Sequence, residues 1–443
     1  MRRAEAEGAY ASDVLHTELG PSIKPEDAAL ATELAMGVLR WRGLLDFLLE
    51  RQLKKPVSRL DLVVALALRM GLYQLRFLER IPARAAVNES VELVKRARKT
   101  SAASLVNAVL RKSAAEASTP ASQFLPPGLS AAERLGILHS HPQWMVERWL
   151  SRFGEARTIA LLEANNRAPR LSCAVHDPAH RDEILTELRA AGMNVDNGRL
   201  LRSAFAVSGG SPTRTAAFHK GRISIQDEAS QSVALLLDVH GGDRVLDLCA
   251  APGGKTMHLA RAAGPNGTVV ATDLHPHRLR AMQAQLKRIG LAHIHLANID
   301  ATKKLPFSIP FDRILVDAPC SGTGTLARHP EIRWRLQPAQ LPELHRMQAR
   351  IISIALASLA SRGRLVYSTC SLEPEENEAV VVEALRENES IHRVTSPRIA
   401  ATLGTYLVPE IQPSKLLDNF GQFRTLPGEQ ATDGFFAAVL ERQ

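Results

Sequence analysis

The run Val245-Leu246-Asp247-Leu248-Cys249-Ala250-Ala251-Pro252-Gly253-Gly254-Lys255-Thr256 decides how this chain is read. A short apolar run of strand character ends in a turn of small residues and two glycines, and a helical pattern begins at once. Glycines let the backbone approach a ligand closely, and the helix N-terminus offers N–H groups with no partner inside the helix. Further β-rich runs lie at 269–273, 294–300, 313–317 and 364–369, and helical patterns near 255–263, 276–289, 338–360 and 375–387 separate most of them. Alternation of this kind predicts an α/β fold with a parallel, doubly wound sheet.

In such sheets ligands bind in the crevice at the carboxyl ends of the strands. Three of the later runs end in an acid there: Asp273, Asp300 and Asp317. Asp273 lies 26 positions after Asp247, near the spacing at which an acid meets a ribose diol. A lone glycine turn would say little, but a turn followed by three strand-end aspartates predicts a nucleotide-type ligand. Two rival ligands are weighed. A phosphate loop needs glycine where Cys249 stands, so that reading fails. A dinucleotide turn finds two glycines in Gly322-Thr323-Gly324 but no matching pattern after the first strand, which leaves a nicotinamide cofactor as the weaker alternative.

Two further segments follow strands: Asp317-Ala318-Pro319-Cys320-Ser321-Gly322-Thr323-Gly324 and Tyr367-Ser368-Thr369-Cys370-Ser371-Leu372-Glu373. Both should project a thiol into the crevice of the glycine turn. Isolated cysteines most often pack as small hydrophobes, and Cys173 and Cys249 are read that way. The Pro, Ser, Thr and Gly residues around Cys320 and Cys370 are not core-like. A thiolate can add to an electron-poor ring carbon such as cytosine C6. That addition makes C5 enamine-like, and a base must then remove the C5 proton before the thiolate can leave. The residues alone leave open which cysteine attacks.

The 443 residues predict two to three domains. Residues 1–112 read as all-helical, with apolar positions such as Leu30, Leu34, Val38, Trp41 and Val87, Val91, Val94 at helical spacing. Residues 113–130 read as a linker, 131–221 as a small α/β module suited to binding rather than catalysis, and 222–443 as the chemical domain. The net charge is +9, and most of the basic excess precedes residue 221, as expected of an auxiliary polyanion-binding region. Arg and Lys within 51–59 and 95–112 are candidates for phosphate contacts. Scattered cysteines without a CxxC pair suggest neither a disulfide framework nor a metal site. No stretch approaches the roughly 20 apolar residues of a membrane span, and Met1 to Glu5 lack the apolar run of a secretory signal. A cytoplasmic protein is expected, and with no heptad pattern, a monomer.

LDLCAAPGGKT (246–256), VDAPCSGTGT (316–325) and STCSLEPEENE (368–378) closely resemble the RNA 5-methylcytosine methyltransferases. LRMGLYQL (68–75), IPARAAVNESVELVK (81–95) and LVNAVLRK (105–112) resemble a NusB-type helical domain. That pairing is similar to the RsmB/Sun/Fmu branch, which methylates small-subunit (16S) ribosomal RNA. The resemblance implies a Rossmann-like class I methyltransferase domain behind a NusB-like domain and an RNA-binding α/β module. It implies that Cys249, Ala250, Ala251, Pro252, Gly253, Gly254, Lys255, Asp273, Asp300 and Asp317 bind S-adenosylmethionine. It further implies that Cys370 is the nucleophile, that Cys320 helps release the product, and that Asp317 meets the cytosine near N3. Gly221 to Gln231 resembles the entry segment of these enzymes, and Asp433-Gly434-Phe435-Phe436 the opening of their last strand. The chain departs from them at its start, slightly late in the first helix. The alternative from another class is a ribosome-assembly or antitermination factor that binds RNA without methyl transfer. Retention of both cysteines and all three aspartates argues against it.

Overall fold

The computed structural model describes residues 1–20, 22–291 and 294–443. The chain forms two compact units, Met1–Ala168 with Leu326–Leu336, and Pro169–Thr325 with Gln337–Gln443.

The first unit is helical. Helices Pro25–Leu53, Leu62–Phe77, Ala83–Arg96 and Ala103–Ala115 bury the apolar faces that their periodicity predicts, with Val38, Leu45, Leu68, Leu72, Val87, Val94 and Leu110 at the centre. Leu30, expected on that stripe, is 43% exposed because the first turns of the long helix run past the core. The stretch expected to link domains finishes the Ala103–Ala115 helix and adds a short turn, Ala121–Phe124, whose Phe124 ring lies under the Arg51 guanidinium at 3.7 Å. Three more helices, Ala131–Leu138, Gln143–Phe153 and Glu155–Asn165, lie in the same compact unit. A capping box between Ser130 and Glu133 starts the first of them, satisfying two otherwise orphaned amides. Gly154, at φ +77°, separates the second of these helices from the third.

Leu326–Leu336 enters this unit through an unusual arginine. Arg333 is fully buried and faces no carboxylate among its hydrogen-bond partners. Its guanidinium donates to the carbonyls of Ser140 (3.0 Å) and Asn165 (3.2 Å) and to Asn166 Oδ1 (2.9 Å). Burial, and then the neighbouring Arg40, pull its pKa down to about 9. Trp334 Nε1 donates to Leu39 O at 3.0 Å, and Glu331 Oε1 accepts from the Ala11 amide at 2.9 Å.

The second unit carries both sheets. A four-stranded antiparallel sheet contains β1 (Leu171–Val175), β2 (Asn194–Asn197), β3 (Ala204–Ser208) and β4 (Ile223–Ile225), in the order β2-β3-β1-β4. Helix Arg181–Ala190 buries Ile184, Leu185 and Leu188 in its core with Cys173 and Phe205. The larger sheet contains β5 (Arg244–Leu248), β6 (Thr268–Asp273), β7 (Ile294–Asn298), β8 (Phe311–Asp317), β9 (Leu359–Thr369), β10 (Ile391–Arg393), β11 (Phe423–Thr425) and β12 (Phe435–Arg442). Its order is β10-β12-β9-β8-β5-β6-β7, with β11 on β12. The five strands from β7 to β9 are parallel, as expected, while β12 and β10 run antiparallel at the other edge. Val245, Leu246, Leu315, Val366 and Tyr367 have no exposure, the continuous apolar burial of a sheet covered on both faces. Among the described residues no helix is long and apolar enough to cross a membrane.

Arg333→Ala is expected to lower the stability of the helical unit by about 3 kcal/mol, since it leaves a cavity and several carbonyls without a donor. Urea unfolding of the full chain, followed by a probe in that unit, measures it. An unchanged midpoint would mean that the buried guanidinium is dispensable.

Candidate active site

The topology brings the ends of β5, β6, β8 and β9 to one edge of the sheet. After β5 the chain turns sharply: Cys249 has φ +61° and Gly253 φ +100°. A Cβ on Gly253 would lie 2.8 Å from Met282 Cγ, and one on Gly254 would lie 3.1 Å from Gln226 Nε2. Only glycine fits the first position without moving its neighbours. The Ala250 amide donates to Thr272 O on β6 at 2.8 Å, and Pro252 follows a cis Ala251–Pro252 bond. The helix Gly254–Ala263 then starts with its first amides facing the turn.

The four strand-end carboxylates differ in their surroundings. Asp247 is buried, accepts from Thr256 Oγ1 at 2.5 Å, and has no partner for Oδ1 among the described residues. Burial raises its pKa to about 7 against the pull of Thr256, with Asp317 adding to the rise. Asp273 Oδ1 accepts from the His275 amide at 2.8 Å. Asp300 accepts from Thr302 Oγ1 (2.6 Å) and the Thr302 amide (3.0 Å), which holds its carboxyl below the usual range. Asp317 receives Lys255 Nζ at 2.7 Å on one oxygen and Ser368 Oγ at 2.8 Å on the other. Burial alone would lower the Lys255 pKa, but Asp317 and then Cys370 outweigh it and the ammonium is stabilised. Its Nζ also lies 5.2 Å from the centre of the Phe435 ring.

The Cys249 thiol is pushed up by burial and then by all four of these carboxylates, so it stays protonated and packs against the sheet. Cys173, at the centre of the smaller sheet's core, is pushed up to about 12 by burial. Cys320 and Cys370 are different. Their sulfurs lie 3.3 Å apart, unbonded and half-buried. The hydrogen bond to Cys370, then burial, then the charges of Cys370 and Glu376 hold the Cys320 thiol well above its ordinary range. Cys320 therefore holds its proton, and the two sulfurs are in hydrogen-bond contact.

The structure thus joins Lys255 to Asp317 and Cys320 to Cys370 directly, and sets Asp247, Asp273 and Asp300 around the same turn. It also gives roles to residues to which the sequence reading assigned none. Ser321, Thr323, Gln348, Thr369, Ser371, Glu376 and Asn377 form a buried polar network behind the two thiols, described below. The serines and threonines among them are signalled by the density of small polar residues around each cysteine; Gln348, Glu376 and Asn377 have no such signal. Among the phosphate candidates, Arg51 pairs with Glu116 (3.3 Å), Lys95 with Glu92 (2.7 Å) and Lys99 with Asp61 (2.7 Å), so these charges are partly compensated. Among the described residues no group of three or more His, Cys, Asp or Glu could hold a metal ion.

Known proteins resemble this chain along its length. The profile of the family described as 16S rRNA methyltransferase RsmB/F matches residues 234–441, that of the NusB family residues 1–115, and that of an RsmF/B-like ferredoxin-like domain residues 141–214. The probable ribosomal RNA small subunit methyltransferase B of Bacillus subtilis is 33% identical over 100% of this chain and 96% of its own. The chain belongs to the 16S rRNA methyltransferase RsmB/F family. The ribosomal RNA small subunit methyltransferase B of Citrobacter koseri is 33% identical over 98% of this chain and 95% of its own. The crystal structure of PH0851 superposes with a TM-score of 0.79 at 25% identity, over 95% of this chain and 92% of that one.

The methyltransferase uses S-adenosylmethionine. Its crevice fits that group on chemical grounds. Carboxylates at the strand ends offer acceptors to ribose hydroxyls and amino groups, the crowded Gly253 leaves the turn open to close approach, and the buried Asp247 Oδ1 awaits a donor.

Asp247 makes the methyltransferase domain pH-sensitive in a defined direction. Its pKa rises from 3.8 to about 7 on folding, so the stability it contributes is complete below pH ~4 and is lost as pH climbs to ~7. Asp247→Asn, which cannot ionise, should gain stability relative to the parent across that window. Unfolding midpoints of the two cofactor-free proteins at pH 5 and pH 7.5 test this; parallel pH dependence would exclude a shifted Asp247.

Proposed function

We propose that this chain methylates C5 of a cytosine in 16S ribosomal RNA through a covalent bond between Cys370 and cytosine C6. The observation that carries this reading is the pair of unbonded sulfurs 3.3 Å apart beside the Lys255–Asp317 pair. A protein that only binds RNA has no use for such a pair.

The residues divide the work as follows. Cys249 to Lys255, with Asp273, Asp300 and Asp317, hold S-adenosylmethionine, which supplies an electrophilic methyl group when bound. Cys370 is the thiol with the cationic Lys255 in its field, and its thiolate is the species that adds to an electron-poor ring carbon. Its addition to C6 pushes electron density onto C5, the carbon that must be nucleophilic. Asp317, oriented by Lys255 and Ser368, is suited to the N3 edge of the ring, where a proton stabilises the adduct. Once the Cys370 sulfur is bonded to carbon, the hydrogen bond that chiefly kept Cys320 protonated no longer holds its proton. Cys320 can then give that proton to solvent and take the one on C5. The C5–H electron pair restores the ring double bond, and the C6–sulfur bond breaks. The cytosine must be unpaired or extruded, since both faces of its ring are needed. The NusB-like domain and the small α/β module are the parts suited to holding the surrounding RNA.

Cys320→Ala, incubated with S-adenosylmethionine and small-subunit RNA, is expected to accumulate a protein–RNA adduct that survives denaturing electrophoresis. Cys370→Ala should give neither adduct nor methylated product. An adduct formed by Cys370→Ala and not by Cys320→Ala would reverse the two roles, and absence of 5-methylcytosine with the unaltered enzyme would end the proposal.

A further inference from the structure

Behind the two thiols lies a carboxylate that no step above employs. Glu376 is 0% exposed, an unfavourable place for a charge unless its oxygens are fully supplied with donors. Its Oε1 accepts from the Ser321 amide at 2.8 Å and from Gln348 Nε2 at 2.9 Å. Its Oε2 accepts from both Ser321 Oγ and Ser371 Oγ. Ser321 follows Cys320 and Ser371 follows Cys370, so one carboxylate grips the residue after each sulfur. The remaining contacts hold the carboxylate in turn. Tyr367 Oη donates to the Glu376 carbonyl at 2.6 Å, and Gln348 reaches Pro319 O at 2.8 Å. Asn377 binds Thr369 Oγ1 (2.5 Å) and Ser371 O (2.8 Å).

We propose that Glu376 is a positioning residue, the clamp that fixes the Cys320 and Cys370 loops at the separation the reaction needs. It touches no reacting atom in this scheme and acts through the two serines. The inference rests on the reading of Cys370 and Cys320 as a working pair. Its geometric part is that four charge-assisted hydrogen bonds to one carboxylate leave neither loop free to swing. Its electrostatic part is that a buried negative charge beside Cys320, with Lys255 in the field of Cys370, makes the two sulfurs unequal.

Three measurements on the full-length enzyme test the clamp. Glu376→Gln keeps the shape and removes the charge; Glu376→Asp keeps the charge but is one methylene too short to reach both serines. For Glu376→Gln, kcat is expected to fall about 10²-fold with KM for RNA and Kd for S-adenosylmethionine unchanged, the signature of reacting groups misplaced by about an ångström. Diamide, which accepts the two electrons and two protons of two thiols as they join, should close the Cys320–Cys370 disulfide about tenfold more slowly in either variant, because closure depends on the fixed approach of the sulfurs. The pH midpoint of Cys320 alkylation, followed by peptide mass spectrometry, should drop in Glu376→Gln and stay near the parent's in Glu376→Asp. Unchanged kcat and disulfide rate in Glu376→Gln would overturn the proposal. So would a loss of activity matched only by a lower thermal midpoint, with the disulfide rate intact. The disulfide measurement needs neither RNA nor methyl donor, so it judges the clamp even if Cys370 fails as the nucleophile.

Discussion

Two sulfur atoms 3.3 Å apart can share a proton, but in a half-buried site they cannot both carry a charge. That constraint organises the catalytic half of the molecule. If one thiol ionises, the other must keep its hydrogen, and the surroundings have to choose between them. The charge of Glu376 acts on Cys320, while Cys370 interacts with the charge of Lys255, so the two sulfurs meet different surroundings. The hydrogen bond between them helps to hold the Cys320 proton. In the proposed mechanism, a pair of identical side chains does two different tasks because of what stands behind each.

The sheet makes that proximity inexpensive. β8 and β9 are parallel neighbours with Asp317 opposite Ser368, so chains leaving their carboxyl ends emerge side by side. Their pairing continues past the strands. The Ala318 amide donates to Ser368 O at 2.9 Å, the Gly324 amide to Cys370 O at 2.8 Å, and the Leu372 amide to Thr323 Oγ1 at 2.8 Å. β12 closes against the same place, where the Gly434 amide donates to Gly324 O at 2.8 Å. A Cβ on Gly324 would meet that Gly434 carbonyl at 2.1 Å, so the residue after Thr323 has to be glycine. Strand register does the coarse placement, and the buried carboxylate network does the fine placement.

Much of this was legible in the sequence because it is local. The glycine turn, the strand-end aspartates and the two cysteines each announce themselves by their immediate neighbours, and the parallel core follows from alternating runs. What escaped depends on distant partners or on short, weakly patterned segments. β2 (Asn194–Asn197) is polar and mostly exposed, and β4 is three residues long, so neither has a period to read. Glu376 stands in a run of acids that looks like an exposed helix start, and only Ser321, 55 positions away, reveals it as buried. Arg333 is a similar case: arginine in a polar stretch suggests the surface, yet carbonyls from several segments of the helical unit enclose it. Leu30 errs the other way, an apolar residue in perfect period beyond the reach of its core.

The cofactor crevice carries its own charge asymmetry. Asp247, Asp273, Asp300 and Asp317 all act on the Cys249 thiol, while Lys255 is tied to Asp317. Such a crowd of carboxylates resists further negative charge, which is why burial and Asp317 together drive Asp247 toward neutrality near pH 7. The same field favours a cation. A sulfonium donor arriving there relieves the repulsion among the carboxylates, whereas its neutral thioether product does not. In the proposed binding mode, the strand-end aspartates do more than recognise hydroxyl and amino groups: their summed field favours the form of the ligand that still has a methyl group to give.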